Sequence, residues 1–217
     1  MKQRIIAQGA EAKIILSNNF IIKDRIKKTY RIPELDDKIR KLRTRSETKL
    51  LEKAGKVINT PNPLTISFRA GGRGDGGGSD KTLTELKMPF IQGKRLSEHL
   101  DDFSLAKQKQ ILKQVGQDVA KLHDANIIHG DLTTSNMIFA EKEEKIYFID
   151  FGLGFQNGKI EDKAVDIHLL KQALEAKHFK NWKILYEEFL KGYKKLKDYQ
   201  KILDQLQKVE KRGRYRH

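Results

Sequence analysis

The stretch that most constrains this chain is Ile128-His129-Gly130-Asp131-Leu132-Thr133-Thr134-Ser135-Asn136, followed by Tyr147-Phe148-Ile149-Asp150-Phe151-Gly152. Asp131 and Asn136 are five residues apart, and Asp150 lies fourteen beyond Asn136. Two short apolar runs, Met137 to Ala140 and Ile146 to Ile149, flank a charged turn over 141–145. Such a pattern predicts a β-hairpin. A hairpin brings its ends together, so Asn136 and Asp150 are expected at one mouth. Two hard oxygen ligands there suit Mg²⁺, which takes few protein oxygens and leaves room for phosphates. Asp131, on the loop entering the hairpin, is then placed to orient a hydroxyl or water for attack on a phosphoryl group.

A D-x-x-x-x-N spacing alone is weak, and so is a lone D-F-G. In this order, with a hairpin between them, they resemble the protein-kinase set of catalytic-loop Asp, metal-binding Asn and D-F-G Asp. The resemblance implies an α+β fold: a bilobal, protein-kinase-like fold with a small β-rich N-lobe and a reduced helical C-lobe. Its expected divisions are an N-lobe over 1–88, a hinge over 89–93, a C-lobe over 94–210 and a basic tail over 211–217.

With 217 residues, of which 38 % are hydrophobic, the chain can build two small cores but no large one. No run of 18 apolar residues occurs, so no membrane span is expected. The N-terminus does not read as a signal peptide, because Gln8, Gly9 and Glu11 interrupt its apolar start. Absence of cysteine rules out disulfides and thiolate metal sites, and agrees with a cytoplasmic location. The net charge of +15 is concentrated: residues 21–50 hold eleven Lys and Arg against five Asp and Glu, and 191–217 hold ten against three. Concentration of this kind points to a polyanion, and specifically to nucleic acid.

Residues 5–24 predict three short strands, Ile5 to Ala7, Lys13 to Leu16 and Phe20 to Lys23, with a turn at Ser17-Asn18-Asn19. The first connection, Gln8-Gly9-Ala10-Glu11-Ala12, sits where a kinase covers the ATP phosphates, but it has one glycine where protein kinases have three. Gly9, Ala10, Glu11 and Ala12 are thus candidate ATP contacts through their backbone amides. Lys23 ends the third strand, in the place of the phosphate-binding lysine. Its expected partner is Glu47, on an amphipathic helix that starts at Pro33 and carries Leu35, Ile39, Leu42, Ser46 and Leu50 on one face.

Two strands are expected over 64–69 and 81–88, around a glycine-rich segment. There Gly72, Gly74 and Gly77 spell G-x-G-x-x-G, but no helix follows to receive a phosphate, so a flexible loop is the better reading. The strap Met88 to Gly93 would meet adenine through its backbone, making Met88, Phe90 and Ile91 candidate nucleotide contacts. Helices are expected over 96–103, 104–125, 163–177, 181–193 and 198–211. His123 and His129 read as supports of the catalytic loop rather than chemical groups, and Asp166 as an acceptor of that loop's backbone amides.

Three departures from ordinary protein kinases narrow the function. Gly130 replaces the catalytic-loop arginine that pairs with an activation-loop phosphate. Thr133 replaces the lysine that helps neutralise the γ-phosphate. Only thirteen residues separate Gly152 from Asp166, with no A-P-E motif, so a peptide-docking platform is missing or minimal.

Nearly the whole chain resembles one family. Gln8 to Ala12, the basic run Lys23 to Arg31, Arg43-Thr44-Arg45-Ser46-Glu47, His129 to Asn136, Ile149 to Gly154, Asp162 to Asp166 and Arg212-Gly213-Arg214 are similar to the small PRPK-type (Bud) kinases, the kinase-like subunit of the KEOPS complex. The glycine-rich segment 71–78 is the main departure. The resemblance implies Mg²⁺ and ATP as cofactors, Ser/Thr autophosphorylation and ATPase activity. It implies as partners a Kae-type threonylcarbamoyl transferase, a Cgi-type small subunit on the N-lobe, and tRNAs reading ANN codons, which acquire threonylcarbamoyl-adenosine. Carried onto this chain, Lys23 and Glu47 hold the phosphates, Asp131 is the catalytic base, Asn136 and Asp150 bind Mg²⁺, and Lys211, Arg212, Arg214 and Arg216 help bind tRNA. The competing expectation is a RIO-like or small-molecule kinase acting without partners, since its catalytic loop also runs H-G-D.

Overall fold

The computed structural model describes residues 3–64 and 84–213. It divides into two compact units, Met1–Glu52 with Pro61–Phe90, and Lys53–Thr60 with Ile91–His217. The fold is α+β and protein-kinase-like.

The N-terminal unit is built on an antiparallel sheet of β1 (Gln3–Gln8), β2 (Ala12–Ser17), β3 (Phe20–Arg25) and β4 (Glu85–Pro89), in that order. The β2–β3 hairpin turns on Asn18 and Asn19, both at positive φ (46° and 62°). Two consecutive left-handed residues match the right-handed twist of a two-residue hairpin, and Asn tolerates that region. Register along the hairpin pairs Ile15 with Ile22 and Ile14 with Lys23. Of the strand expected over 64–69, only Leu64 is described; its N–H donates to the Lys87 carbonyl (2.8 Å). The rest of that strand and the glycine-rich segment lie outside the described residues.

Helix α1 runs Pro33–Ala54, with Pro at its first position and Glu34 and Asp36 favouring the positive end of its dipole. Its buried face differs from the expected apolar one. Leu35 and Leu42 are 50 % and 54 % exposed, while Asp36, Thr44, Glu47 and Thr48 are buried. Apolar burial begins only at Leu50 and Leu51. The reason is polar pairing: Glu47 faces the cations of β3, the Thr44 hydroxyl donates to the Thr84 carbonyl, and Asp36 accepts from Arg40 and Arg31. A hydrophobic period alone cannot register this preference.

The C-terminal unit packs α3 (Leu105–Asp124) against α5 (Trp182–Tyr193), with α4 (Ile160–Lys177) and α6 (Tyr199–Gly213) alongside. Ser104 caps α3, its side chain accepting from the Lys107 N–H. Leu112, Val115, Val119 and Leu122 of α3 are fully buried, as their spacing predicts, beside Leu185, Phe189 and Tyr193 of α5. The short helix α2 (Leu96–His99) continues as a 3₁₀ turn over Leu100–Asp102. Strand β5 (Lys94–Arg95) joins the hairpin of β7 (Met137–Ala140) and β8 (Lys145–Phe148), while β6 (Ile127–Ile128) pairs with β9 (Phe155–Gln156). The basic tail expected from residue 211 is corrected in part. Helix α6 continues through Lys211 and Arg212, where Arg212 pairs with Glu161. Cations in the last turn suit the negative end of the helix dipole, which extends the helix into the basic run. Arg214 and Arg216 lie outside the described residues.

Two glycines set the distance between α3 and α5. A Cβ on Gly116 would lie 2.0 Å from the Phe189 carbonyl oxygen, and one on Gly192 would lie 2.0 Å from that of Lys113. Both obstacles are backbone, so neither side can yield without moving a helix. Gly116→Ala should lower stability by about 1–3 kcal/mol, the range for overpacking a tight contact. An unchanged urea midpoint for that variant would show that the helices slide apart at no cost.

Candidate active site

In the C-terminal unit, β6 delivers the chain into the loop 129–133, and a 3₁₀ turn at Thr134–Asn136 leads into the hairpin. Asp166, fully buried on α4, accepts the His129 N–H at 2.7 Å on one oxygen and the Gly130 N–H at 2.9 Å on the other. Carboxylate bonds to backbone amides are charge-assisted and strong where water is excluded. His123 braces the same carboxylate. Its Nε2–H donates to the Asp166 carboxylate (3.3 Å), and its Nδ1 lies 2.7 Å from the Tyr193 hydroxyl. Burial pushes the Tyr193 phenol far up, which keeps it protonated.

His129 completes the frame. Its Nδ1 accepts the Asp131 N–H (3.3 Å) and its Nε2 donates to the Ile149 carbonyl (3.1 Å), while its ring lies 4.5 Å from that of Phe151. One imidazole thus ties the residue that would be the base to the residue preceding Asp150. Gly130 has φ +78°, and a Cβ there would lie 2.3 Å from the Leu153 carbonyl oxygen. No arginine could occupy this position without displacing the segment after Asp150, which gives its replacement a steric cause.

Asn136 reaches back to the loop. Its Nδ2 donates to the Asp131 carbonyl (2.9 Å) and to Asp131 Oδ2 (2.8 Å). Both amide hydrogens are used, which turns the amide oxygen Oδ1 outward as a possible ligand. The Ile149 N–H donates to the Asn136 carbonyl (3.0 Å), closing the mouth of the hairpin one residue before Asp150. Asp150 is held at φ +61°, a left-handed conformation uncommon for a non-glycine residue, and its Oδ1 accepts the Gly152 N–H (3.2 Å). A carboxylate and an amide oxygen at one hairpin mouth fit a hard divalent cation that completes its shell with phosphate oxygens. Among the described residues, no group of three His, Cys, Asp or Glu could hold a metal unaided.

The N-terminal unit carries the phosphate-binding candidates. Lys23 and Glu47 are both buried, and Lys23 Nζ donates to Glu47 Oε1 at 2.8 Å. The loop before β2 is engaged through its side chains: Glu11 pairs with Arg43 (2.7 Å) and Lys28 (3.7 Å), and Lys28 donates to the Ala10 carbonyl. The Gly9 N–H donates to the Ala12 carbonyl (3.0 Å), and a Cβ on Gly9 would come no closer than 4.0 Å to that oxygen. The loop therefore needs no glycine for its conformation. Met88 is buried; Phe90 is 42 % exposed and its N–H donates to the Asn19 carbonyl (2.8 Å). Phe90 ends the first unit and Ile91 opens the continuation of the second.

Sequence reasoning missed two residues. Arg25 lies two positions beyond Lys23, and its Nη2 donates to Glu47 Oε2 at 2.6 Å. Period-two alternation along β3 could have placed it on the face of Lys23. His178, at the end of α4, lies between Asp101 Oδ1 (3.1 Å) and the Thr134 hydroxyl (3.4 Å), inside the loop that joins Asp131 to Asn136. Nothing in its local sequence singles it out.

Burial pushes the His129 pKa down, against the upward pull of Asp166, Asp150, the Ile149 carbonyl and Asp131. The unfolded chain takes up a proton near the ordinary imidazole value of about 6.5, whereas the folded chain resists until lower pH. This ring's stabilising contribution is full above that value and is lost as pH falls toward the folded-state pKa. His129→Gln should flatten the fall in unfolding midpoint between about pH 7.5 and 5.5. An equal pH slope in both proteins would show that the ring titrates alike folded and unfolded.

The sequence has relatives among known proteins. The model of the family described as Lipopolysaccharide kinase (Kdo/WaaP) matches residues 23–193, from the strand lysine to the tyrosine that braces His123. The chain is 40 % identical to the KEOPS complex subunit Bud32 of Pyrococcus abyssi, over 98 % of this chain and 96 % of that protein. It is 33 % identical to a probable serine/threonine-protein kinase BUD32 homolog of Archaeoglobus fulgidus, over 95 % of this chain and 94 % of that protein. It is also 38 % identical to a probable bifunctional tRNA threonylcarbamoyladenosine biosynthesis protein of Methanobrevibacter smithii, over all of this chain but only 38 % of that longer protein. Residues 23–193 thus fall in the Kdo/WaaP kinase family, and the chain as a whole belongs to the Bud32 serine/threonine kinases.

Proposed function

We propose that this chain is the Mg²⁺-dependent kinase and ATPase subunit of a KEOPS-type assembly in the cytoplasm, supporting threonylcarbamoyl-adenosine formation on tRNA. The observation that carries the chemistry is the Asp131–Asn136 pair at 2.8 Å, fixed by the amides that Asp166 holds. Asp131 orients the attacking hydroxyl or water as general base. Asn136 Oδ1 and the Asp150 carboxylate hold Mg²⁺, which when bound neutralises phosphate charge. Lys23, set by Glu47, neutralises phosphate oxygens, and Gly9 to Ala12 with Met88, Phe90 and Ile91 contact the rest of ATP.

The role in tRNA modification is supported by the similarity to a KEOPS subunit and to a tRNA threonylcarbamoyladenosine biosynthesis protein, and by the position of the charge. Basic residues over 21–50 and toward the C-terminus, including Lys211, Arg212, Arg214 and Arg216, suit a tRNA backbone. A Kae-type transferase and a Cgi-type small subunit complete the assembly. Docking of the small subunit on the N-terminal unit is supported by Tyr30, Ile32, Leu35 and Leu42, which are 76 %, 67 %, 50 % and 54 % exposed.

Asp131→Asn should lower ATP turnover about 10²–10⁴-fold, the usual weight of a positioned general base. Turnover measured with tRNA and transferase present decides; undiminished hydrolysis in Asp131→Asn and Asp150→Ala alike would refute the assignment. Paired substitution of Leu35 and Leu42 by Asp should weaken capture of the small subunit and leave ATP turnover of the isolated chain intact. If capture is unaltered, the small subunit docks elsewhere.

A further inference from the structure

Glu47 is gripped twice. Its Oε1 takes Lys23 Nζ at 2.8 Å and its Oε2 takes Arg25 Nη2 at 2.6 Å, with all three side chains nearly excluded from solvent. Residues 23 and 25 share one face of β3, where the strand's burial alternates, so both reach the same carboxylate. The two cations differ in kind. Arg25 is a planar, permanently charged donor whose own backbone is fixed, its N–H donating to the Thr84 carbonyl (3.4 Å). Lys23 is a point charge on a flexible stem, able to swing toward another anion.

Around this pair the seat of α1 is polar. Thr44, Glu47 and Thr48 are buried there, and the Thr44 hydroxyl donates to the same Thr84 carbonyl that receives the Arg25 N–H (3.3 Å). Apolar packing starts only with Leu50. The middle of the helix therefore docks on the sheet through charge and hydrogen bonds, with Arg25 held to Glu47 at 2.6 Å.

We propose that Arg25 is the positioning residue that anchors Glu47, and with it α1, on the sheet independently of Lys23. The division of labour rests on the reading that Lys23 serves the phosphates of ATP. Lys23 can then turn toward phosphate while Glu47 stays in place, and the helix keeps its docked position whether or not nucleotide is present. In such an arrangement α1 is not a lever that activates the enzyme by swinging in. With Gly130 also excluding the arginine that answers to a loop phosphate, the chain has neither of two common kinase switches.

The test compares amide hydrogen exchange over residues 44–51 in the full chain, without nucleotide, for wild type, Lys23→Met, Arg25→Met and Arg25→Lys. Expected are near-wild-type exchange in Lys23→Met and faster exchange in Arg25→Met, by on the order of tenfold for a lost charge-assisted bond. Arg25→Lys, which keeps the charge and one donor, should recover most of the protection. Faster exchange in Lys23→Met than in Arg25→Met, or no change in Arg25→Met, overturns the proposal. Should Arg25→Met fail to fold, Lys23→Met still decides: if that variant alone loosens residues 44–51, the anchor is Lys23. A second arm reads kcat/KM for Mg-ATP. Arg25→Met should reduce it in the wild-type background but add little to Glu47→Gln, because the arginine acts through that carboxylate; additive losses argue for a separate role. Wild-type protein that neither binds nor hydrolyses ATP would sink the kinase reading and leave the exchange comparison standing.

Discussion

Everything at the catalytic loop hangs from one carboxylate. Asp166 is fully buried and spends both oxygens on consecutive backbone amides, those of His129 and Gly130. A buried charge persists only where hydrogen bonds replace its lost hydration. The loop is therefore needed by Asp166 as much as Asp166 is needed by the loop. From that fixed point the geometry propagates by short steps. His129 passes it to Asp131 and Ile149, and Asn136 returns it to Asp131. The hairpin mouth then sets Asp150. Each step is one or two directional hydrogen bonds, which is how a loop without regular structure holds a defined shape.

Much of this was legible in the sequence, for two different reasons. The hairpin and the three N-terminal strands follow from alternation and turn residues, and Asn18 and Asn19 turn where their tolerance of positive φ lets them. The contact of Asn136 with Asp131 follows from ordered spacing, as does the closing of the hairpin one residue before Asp150. Helix α1 was placed correctly, from Pro33 onward, but was turned the wrong way. Its apolar stripe points outward over Leu35 and Leu42 because polar groups win the inner face. Periodicity reports where apolar residues lie, not which face the rest of the fold claims. His178 was invisible for a related reason: its contacts with Asp101 and Thr134 join residues 77 and 44 positions away. Helix α6 runs on through Lys211 and Arg212, past the end expected at 211, because cations also stabilise a helix C-terminus.

The two units solve the same problem with different chemistry. In the C-terminal unit, the α3–α5 contact is apolar and tight, down to the backbone contacts at Gly116 and Gly192, and the catalytic loop is held by a polar network. In the N-terminal unit, Glu47 seats the helix on the sheet by holding Lys23 and Arg25, while buried Asp36 holds Arg40 of the same helix (2.8 Å) and Arg31 just before it (3.4 Å). Ion-seated contacts are directional and depend on every partner being present, because removing one leaves a buried charge uncompensated. A basic surface for a polyanion and a polar seat for a helix thus draw on the same stock of arginines and lysines.

The contact at Gly130 also limits how this protein can change. Its missing side chain is replaced by the Leu153 carbonyl, a backbone atom that cannot rotate out of the way. Restoring an arginine there would collide with the chain and would also demand positive φ from a residue that disfavours it. Phosphate-controlled loops therefore cannot be grafted onto this scaffold by a point change. The segment over 152–154 would have to be rebuilt in the same event, which makes the unswitched loop an evolutionary trap as well as an economy.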